Sequence, residues 1–186
     1  MKNFITNEKR IIERGKAYLT PLKEYHVEEF ESIMHVSNKA EVKDFGYDSV
    51  QQLLINVLNE TESYVCRNKY GNLCFIGGLS HAEESPQMFT IFANNLEHNV
   101  VLTAKMSKSL LHMYEKVHPT ITMSILSKNE HMLNWACWLG FEPVEISIDE
   151  KFVEFVRCNS KNYDVYNKAL RPIVHCSALM DTRIDM

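Results

Sequence analysis

The side chains most able to bind metals or to act as nucleophiles are scattered along this chain of 186 residues. Neither the five cysteines nor the eight histidines form a close motif: there is no C-x-x-C, no H-E-x-x-H and no pair of histidines four residues apart. Wide spacing and an odd number of cysteines are typical of reduced intracellular thiols, not of a disulfide framework or a zinc ribbon. We therefore expect no dedicated metal site, and reduced thiols at Cys66, Cys74, Cys137, Cys158 and Cys176.

Two tryptophans, Trp135 and Trp138, are three residues apart and would share one face of a helix. Such a pair can stack on a ligand or pack at the rim of a core, and we favour packing. Several of the nine methionines also recur at helical spacing, where they are ordinary adaptable core residues. These side chains alone indicate no reaction.

The composition excludes several classes of protein. The chain is 45% apolar and 24% charged, and its length suffices for about one domain. No stretch approaches the roughly 20 apolar residues of a membrane span, and the first fifteen residues are charged without an apolar run. We therefore expect no membrane span and no signal peptide. A net charge of −4 argues against general nucleic-acid binding, and the chain is predicted to be soluble and cytoplasmic.

Hydrophobic periodicity predicts the elements that would position these residues, beginning after a solvated arm or short helix at residues 1–16. A five-residue loop containing Gly71 is predicted to join two strands as a hairpin. The predicted elements of this half are a strand over Ala17–Leu22, a helix from about Val27 to Val36, a helix beginning at Asp48 or Ser49, and strands over Ser63–Arg67, Leu73–Ser80 and Met88–Ala93.

The second half begins with the most regular helical stripe of the chain, which Pro119 ends. Asn129 is predicted to cap a further helix, which Gly140 ends, and Phe141 then enters the core. The stripe comprises Leu102, Met106, Leu110, Met113, Tyr114 and Val117, and the late strands are Thr120–Leu126, Val144–Ile148 and Phe152–Arg157.

This order of elements predicts an α+β fold with a mixed, mostly antiparallel twisted sheet and helices on both faces. We expect an N-terminal arm over residues 1–16, a domain over residues 17–157 and a C-terminal extension over residues 158–186. The extension has no strong periodicity, yet it contains many apolar residues. It is therefore predicted to be an interaction segment, with packing over the chain's own sheet as the alternative.

The block from Asn129 to Phe141, together with the element order, resembles the GNAT acyltransferase superfamily. The resemblance rests on an Asn, a helix and a Leu-Gly-Phe that opens the next strand. Residues 64–147, including Cys74–Gly78 and Met88–Phe92, look more narrowly like the GNAT-like internal virion protein A of short-tailed phages, a family also described as acetyltransferases. That likeness implies a phage protein in the cytoplasm of an infected bacterium, with packaging in the virion left open.

The resemblance implies an acyl-CoA groove lined, by position, by Phe92, Ala93, Asn94 and Asn129; capping alone also explains Asn129. GNAT enzymes hold the pyrophosphate on a glycine-containing loop at a helix N-terminus, where the backbone can approach the phosphates. The corresponding residues 94–102 contain no glycine, and Glu97 adds a negative charge there. Both features oppose tight CoA binding.

The family's general acid is also missing, because its tyrosine position is Ala136 here, and the neighbouring Cys137 points elsewhere on the helix. No catalytic residue is assigned. His81, Glu97 and His98 are the nearest candidates for a general base, although exposed loop or strand-edge positions explain each of them better. His112, Glu115 and His118 are interpreted as a solvated helix face.

Two functions from different classes follow. The favoured hypothesis is a non-catalytic GNAT-like component of a virion or of its assembly, which acts through protein partners or self-association and needs no cofactor. The alternative is an acyl-CoA-dependent N-acetyltransferase that uses acetyl-CoA and modifies a host or phage protein. An inhibitor that binds a host factor is a third possibility. The sequence identifies neither the partner, the acceptor nor the oligomeric state.

Overall fold

A computed structural model describes residues 9–14, 17–82, 85–146 and 151–158. In these ranges the chain forms eight strands and five helices, which confirms the predicted α+β class. The strands are β1 (Ile12–Arg14), β2 (Ala17–Pro21), β3 (Thr61–Arg67), β4 (Leu73–Ser80), β5 (Gln87–Phe92), β6 (Thr120–Leu126), β7 (Glu142–Ile146) and β8 (Phe152–Cys158), and the helices are α1 (Glu24–Ile33), α2 (Val36–Glu41), α3 (Val50–Glu60), α4 (Leu96–Glu115) and α5 (Glu130–Leu139).

The strands follow the order β1-β2-β3-β4-β5-β6-β8-β7 in the sheet. Strands β1 to β4 pair antiparallel in sequence, as do β6 with β8 and β8 with β7. Gln87 of β5 pairs parallel with Thr122 of β6. The sheet is therefore mixed and mostly antiparallel, as predicted.

The chain divides into two compact units. The first comprises Met1–His81 and Phe89–Met113, and the second comprises Ala82–Met88 and Tyr114–Met186, within the described ranges.

Helices pack on both faces of the sheet in the first unit. One face carries a core of side chains from α1, α3 and strands β3 to β5, centred on Phe30, Leu54 and Ile76. On α4, Leu110 is fully buried and faces Gly77 of β4, where an added Cβ would lie 3.1 Å from the Leu110 side chain. Gly77 therefore permits the close approach of α4.

The second unit follows its predicted signals closely. Ile121, Met123 and Ile125 of β6 are buried, as their alternation predicts. Helix α5 begins with the Asn129 side chain accepting a hydrogen bond from the Met132 N–H (3.1 Å) and ends at Gly140, whose φ is +88°. Phe141 then enters the core with 1% exposure.

Three predictions about individual elements were wrong, each for a physical reason. Residues 12–14 form strand β1 and not a helix, because they pair with Ala17–Leu19 of β2, although Glu13 and Arg14 are exposed. Val117 lies beyond the end of α4 and is 74% exposed. Glu115 is not a solvated residue, because its carboxylate accepts a hydrogen bond from Arg157 Nε (2.5 Å).

Several boundaries also differ from those predicted. Helix α4 begins at Leu96, about one and a half turns before its apolar stripe, and α1 begins at Glu24. The short helix α2 was not predicted. Strand β7 begins at Glu142, and the rest of the predicted strand, residues 147–148, lies outside the described residues, as does the extension from residue 159. At α3 the Ser49 hydroxyl is the cap that accepts from the Gln52 N–H (3.1 Å).

In the part of the chain that the structure describes, no helix is long and apolar enough to cross a membrane.

Candidate functional site at the start of helix α4

A groove runs along the first two and a half turns of α4, entirely within the first unit. Its volume is about 840 Å³. Seven of its lining residues belong to α4 and one to β1: Arg14, Glu97, His98, Asn99, Val100, Val101, Leu102 and Lys105. Two cations and one carboxylate therefore face this groove, at the positive end of a 20-residue helix.

The start of α4 is held by hydrogen bonds to the loop that follows β3 and to the beginning of β4. The Asn95 side-chain amide donates to the carbonyl of Leu73 (3.0 Å). The Asn99 side-chain amide donates to the carbonyl of Asn95 (2.9 Å), and the Asn68 amide reaches Asn99 Oδ1 at 3.4 Å. Because the contacts with Leu73 and Asn68 come from outside the helix, tertiary structure helps to fix where α4 begins.

The charges of the groove favour an anionic ligand. Arg14 and Lys105 are exposed and contribute two positive charges, and the helix dipole adds a further attraction for anions. Glu97 is exposed in the same groove and opposes them. The arrangement can hold a phosphate-bearing molecule by charge, although the loop before α4 has no glycine to let a phosphate approach the backbone closely.

Phe92, Ala93 and Asn94, which the resemblance assigned to an acyl-CoA groove, lie just before α4 and do not line the groove described above. Their backbone N–H groups are bonded within the chain. The Ala93 N–H donates to the Cys74 carbonyl of β4 (2.9 Å). The Phe92 N–H donates to Asn38 Oδ1 (2.9 Å), and the Asn94 N–H donates to the Ile33 carbonyl (2.7 Å). The N–H groups of Phe92 and Asn94, on the side of this segment that faces away from β4, are therefore already hydrogen-bonded to residues 33–38.

Asn129, the fourth predicted site residue, belongs to the second unit. Its side chain caps α5, as predicted from the sequence. Ala136, in the position of the family's tyrosine, is fully buried, and Cys137 beside it is buried as well. The described residues therefore place no acidic hydroxyl on α5 at that position.

The candidate bases divide into two groups. Glu97 and His98 are exposed and line the groove, whereas His81 is exposed but does not line it. Sequence reasoning missed the two cations of the groove, Arg14 and Lys105. Lys105 could have been found from its place on the polar side of the α4 stripe, but Arg14 reaches the groove only because β1 forms.

The two tryptophans of α5 stack on each other. The ring centroids of Trp135 and Trp138 are 5.2 Å apart, with 25° between the ring planes, and Trp138 is 41% exposed. Among the described residues, no group of three or more His, Cys, Asp or Glu side chains could hold a metal ion.

Comparison with known proteins gives a structural answer only. No family model matches the sequence, and no curated protein matches it. The fold is similar to that of spermidine N-acetyltransferase from Vibrio cholerae, solved in complex with CoA and spermine, with a TM-score of 0.55 and 14% sequence identity over 80% of this chain and 98% of that one. The chain has the fold of the GNAT acetyltransferases.

Two further structures of the Vibrio enzyme agree. A point variant gives a TM-score of 0.59 at 13% identity over 81% of this chain and 98% of that one. A chimera of the Vibrio enzyme and hSSAT gives a TM-score of 0.58 at 14% identity, over 81% of this chain and 99% of that one. The GNAT-type fold implied by the sequence is thereby confirmed, whereas the narrower likeness to phage proteins stays a prediction.

Proposed function

We propose that this GNAT-fold chain binds acyl-CoA at the start of α4 and transfers the acyl group to an amine. The observation that carries the proposal is the groove at this helix N-terminus, with Arg14 and Lys105 on its wall. GNAT enzymes hold a pyrophosphate at the corresponding helix, and a phosphate-bearing ligand gains from both the helix dipole and the two cations.

The fit of acyl-CoA to these residues depends on charge more than on shape. Arg14 and Lys105 supply two positive charges against the single negative charge of Glu97. When bound, acyl-CoA supplies the thioester that an amine attacks. The chain's own part is to orient the phosphates by Arg14, Lys105 and the amides that begin α4, at lower affinity than a glycine-containing loop would give.

The acceptor is proposed to be a small cationic amine. The fold resembles enzymes named for spermidine acetylation, and a protein of net charge −4 attracts polyamines at long range. Spermidine is therefore the first acceptor to assay, followed by lysine-containing peptides, which would represent a protein acceptor.

The test is an acetyl-transfer assay with acetyl-CoA and spermidine, in which free CoA and acetylated amine are both measured. We expect equal amounts of the two products with the wild-type chain and a lower yield at subsaturating acetyl-CoA with Lys105→Ala. Lys116→Ala, an exposed lysine beyond the other end of α4, is the matched control and should match the wild type. Release of CoA without an acetylated amine would contradict the transfer step.

The second candidate function is that of a non-catalytic GNAT-fold component that binds other proteins. The hydrogen bonding of the amides before α4 favours it. The amides of Phe92 and Asn94 are already bonded to residues 33–38, and Ala136 replaces the family's acid. The narrower phage resemblance would make the partner another virion component or a second copy of the chain. On that hypothesis acetyl-CoA does not bind, and the extension from residue 159 provides the contact.

Deleting residues 159–186 tests this second candidate. We expect the remaining chain to stay folded and monomeric while losing its association with a partner or with itself, as measured by circular dichroism and light scattering. A shortened chain that unfolds would show that these residues belong to the core, and the argument for an interaction segment would then fail.

A further inference from the structure

Strand β4 contains a bulge that brings two cysteines of neighbouring strands together. In the register of β3 with β4, Cys66 lies opposite Phe75, but Arg67 lies opposite Leu73, so Cys74 is the extra residue. In a regular ladder Cys74 would point to the face opposite Phe75. The extra residue shifts this alternation, so that Cys74 lies beside Cys66 across the two strands.

The surroundings of the two thiols make them chemically unequal. The pKa of Cys66 is raised well above its ordinary value by its hydrogen bond to Cys74 and by burial. The pKa of Cys74 is lowered by accepting that hydrogen bond, despite burial, with further help from the Asn68 N–H and the charge of Arg67. Cys74 is thus the more acidic thiol of the two and the better nucleophile.

We propose that Cys66 and Cys74 form a redox pair that a peroxide oxidises to a disulfide across β3 and β4. The Cys74 thiolate attacks one peroxide oxygen, the O–O bond breaks, and water leaves after protonation, which gives a sulfenic acid. The Cys66 sulfur then attacks the Cys74 sulfur and loses its proton, while the sulfenic oxygen leaves as a second water. Two thiols are oxidised to one disulfide, and one hydrogen peroxide is reduced to two waters.

The hairpin loop over residues 68–72 lies against the pair, because Cys74 Sγ donates to the Asn72 carbonyl (3.6 Å). Both cysteines are fully buried, whereas Tyr70 at the loop tip is 73% exposed. The loop is closed by a hydrogen bond from Arg67 to the Gly71 carbonyl (2.7 Å) and by Asn68 Oδ1, which accepts from the Tyr70 N–H (2.9 Å). A small oxidant therefore reaches the sulfurs when this loop opens locally, so the reaction is slower than at an exposed thiolate.

A disulfide between Cys66 and Cys74 would alter the start of α4. Its expected effect on acetyl-CoA binding rests on the proposed function. The Cys74 carbonyl accepts the Ala93 N–H (2.9 Å), and the neighbouring Leu73 carbonyl accepts the Asn95 amide (3.0 Å). A disulfide that draws Cys74 towards β3 moves both carbonyls. We expect acetyl-CoA to bind the oxidised chain about tenfold more weakly, a typical coupling between two sites.

Peptide mapping of the full wild-type chain after hydrogen peroxide treatment tests the pair without any substitution. Trypsin cuts after Arg67 and Lys69, so the two cysteines lie in different peptides unless a disulfide joins them. We expect a Cys66–Cys74 linked pair, lighter by two hydrogens than the separate peptides, that disappears with dithiothreitol. Oxidation confined to other cysteines, or to sulfinic acid at Cys74 with Cys66 unmodified, would overturn the proposal.

Variants identify the attacking thiol. Cys66→Ser should accumulate a sulfenic acid at Cys74 that dimedone traps, whereas Cys74→Ser should leave Cys66 largely unoxidised over the same period. Cys137→Ser, at a buried cysteine of the second unit, is the matched control and should form the disulfide at the wild-type rate. Equal oxidation of Cys66 in Cys74→Ser and in the wild type would contradict the order of attack.

The binding measurement keeps the two proposals separate. If the reduced chain binds no acetyl-CoA, the proposed function fails, and the redox pair is still decided by peptide mapping. If the disulfide forms and acetyl-CoA binds both forms equally, the proposed coupling to α4 is wrong.

Discussion

Helices α4 and α5 begin in different ways. Helix α5 begins at a residue that caps it, because the Asn129 side chain accepts the Met132 N–H. At the start of α4, the Asn95 side-chain amide instead donates to the Leu73 carbonyl of β4. The start of α5 is thus specified by the adjacent sequence, and the start of α4 by tertiary contacts.

This difference separates a structural helix from a candidate binding site. The ends of α5 are satisfied by Asn129, Gly140 and the Arg157 side chain, which donates to the carbonyls of Leu139 (2.8 Å) and Gly140 (3.1 Å). The start of α4 instead faces a groove with two cations. The N–H groups of Leu96 and His98 already donate to the carbonyls of Ala93 and Asn95 (3.2 Å each), so an external anion would interact chiefly with the helix dipole and the two cations.

The largest expected effects are in the cores that hold the two helices. Leu110→Ala in α4 and Phe141→Ala after α5 should each lower the free energy of unfolding by about 2–5 kcal/mol, since both side chains are buried almost completely. Val117→Ala, just beyond α4, is the exposed control and should change it by less than about 0.5 kcal/mol. Urea unfolding measures all three. An unchanged midpoint for Leu110→Ala would mean that α4 is misplaced.

The C-terminal end of α5 gives the next largest effect. Gly140→Ala places a Cβ at a positive φ and against the Arg157 guanidinium, which must then leave its carbonyl partners. We expect a loss of about 2–3 kcal/mol, of which about 1–2 kcal/mol is backbone strain. Gly46→Ala has a similar φ of +84° in open space and isolates the strain. If Gly140→Ala and Gly46→Ala lose equal free energy of unfolding in thermal denaturation, displacement of the Arg157 side chain contributes nothing.

Substitutions of Asn129 and Asn95 test the difference between the starts of α5 and α4. Asn129→Asp keeps an oxygen that accepts the Met132 N–H and should be close to neutral, whereas Asn129→Ala should lower stability by about 1 kcal/mol. Asn95→Asp loses the amide that donates to Leu73 and should destabilise by about 1–3 kcal/mol, because it leaves a buried carbonyl unpaired. Chemical unfolding of the three variants decides this. A neutral Asn95→Asp would show that α4 begins without that bond.

The smallest effect is electrostatic. Glu97→Gln removes the negative charge of the groove and should tighten acetyl-CoA binding by about 0.3–1 kcal/mol. Glu31→Gln, on the exposed side of α1, is the matched control with the same change in net charge. If both variants bind alike in calorimetry, Glu97 lies away from the phosphates.

The sequence predicted most of the fold because most elements carry their own signals. The cap at Asn129, the glycine at 140 and the alternation of β6 act locally and were correctly located, and the cap of α3 was narrowed to Asp48 or Ser49, of which the structure has Ser49. Strand β1 and the start of α4 carry no such signal: one depends on pairing with β2, and the other on bonds to Asn68 and Leu73. The groove depends on both elements, so the sequence alone could not reveal Arg14 as part of it.

The cysteine pair was missed for a related reason. Cys66 and Cys74 are eight residues apart, which resembles no metal or redox motif, and the alternation of two regular strands would not bring them together. Only the bulge at Cys74 does so.

Calorimetric titration of the purified, reduced chain with acetyl-CoA tests the central claim most directly. We predict saturable binding to one site per chain, weaker in Lys105→Ala and unchanged in Lys116→Ala, with thermal stabilisation of roughly 2.7 kcal/mol at about 100 times the dissociation constant. Absence of both heat and stabilisation at millimolar acetyl-CoA would contradict the claim and favour the non-catalytic alternative.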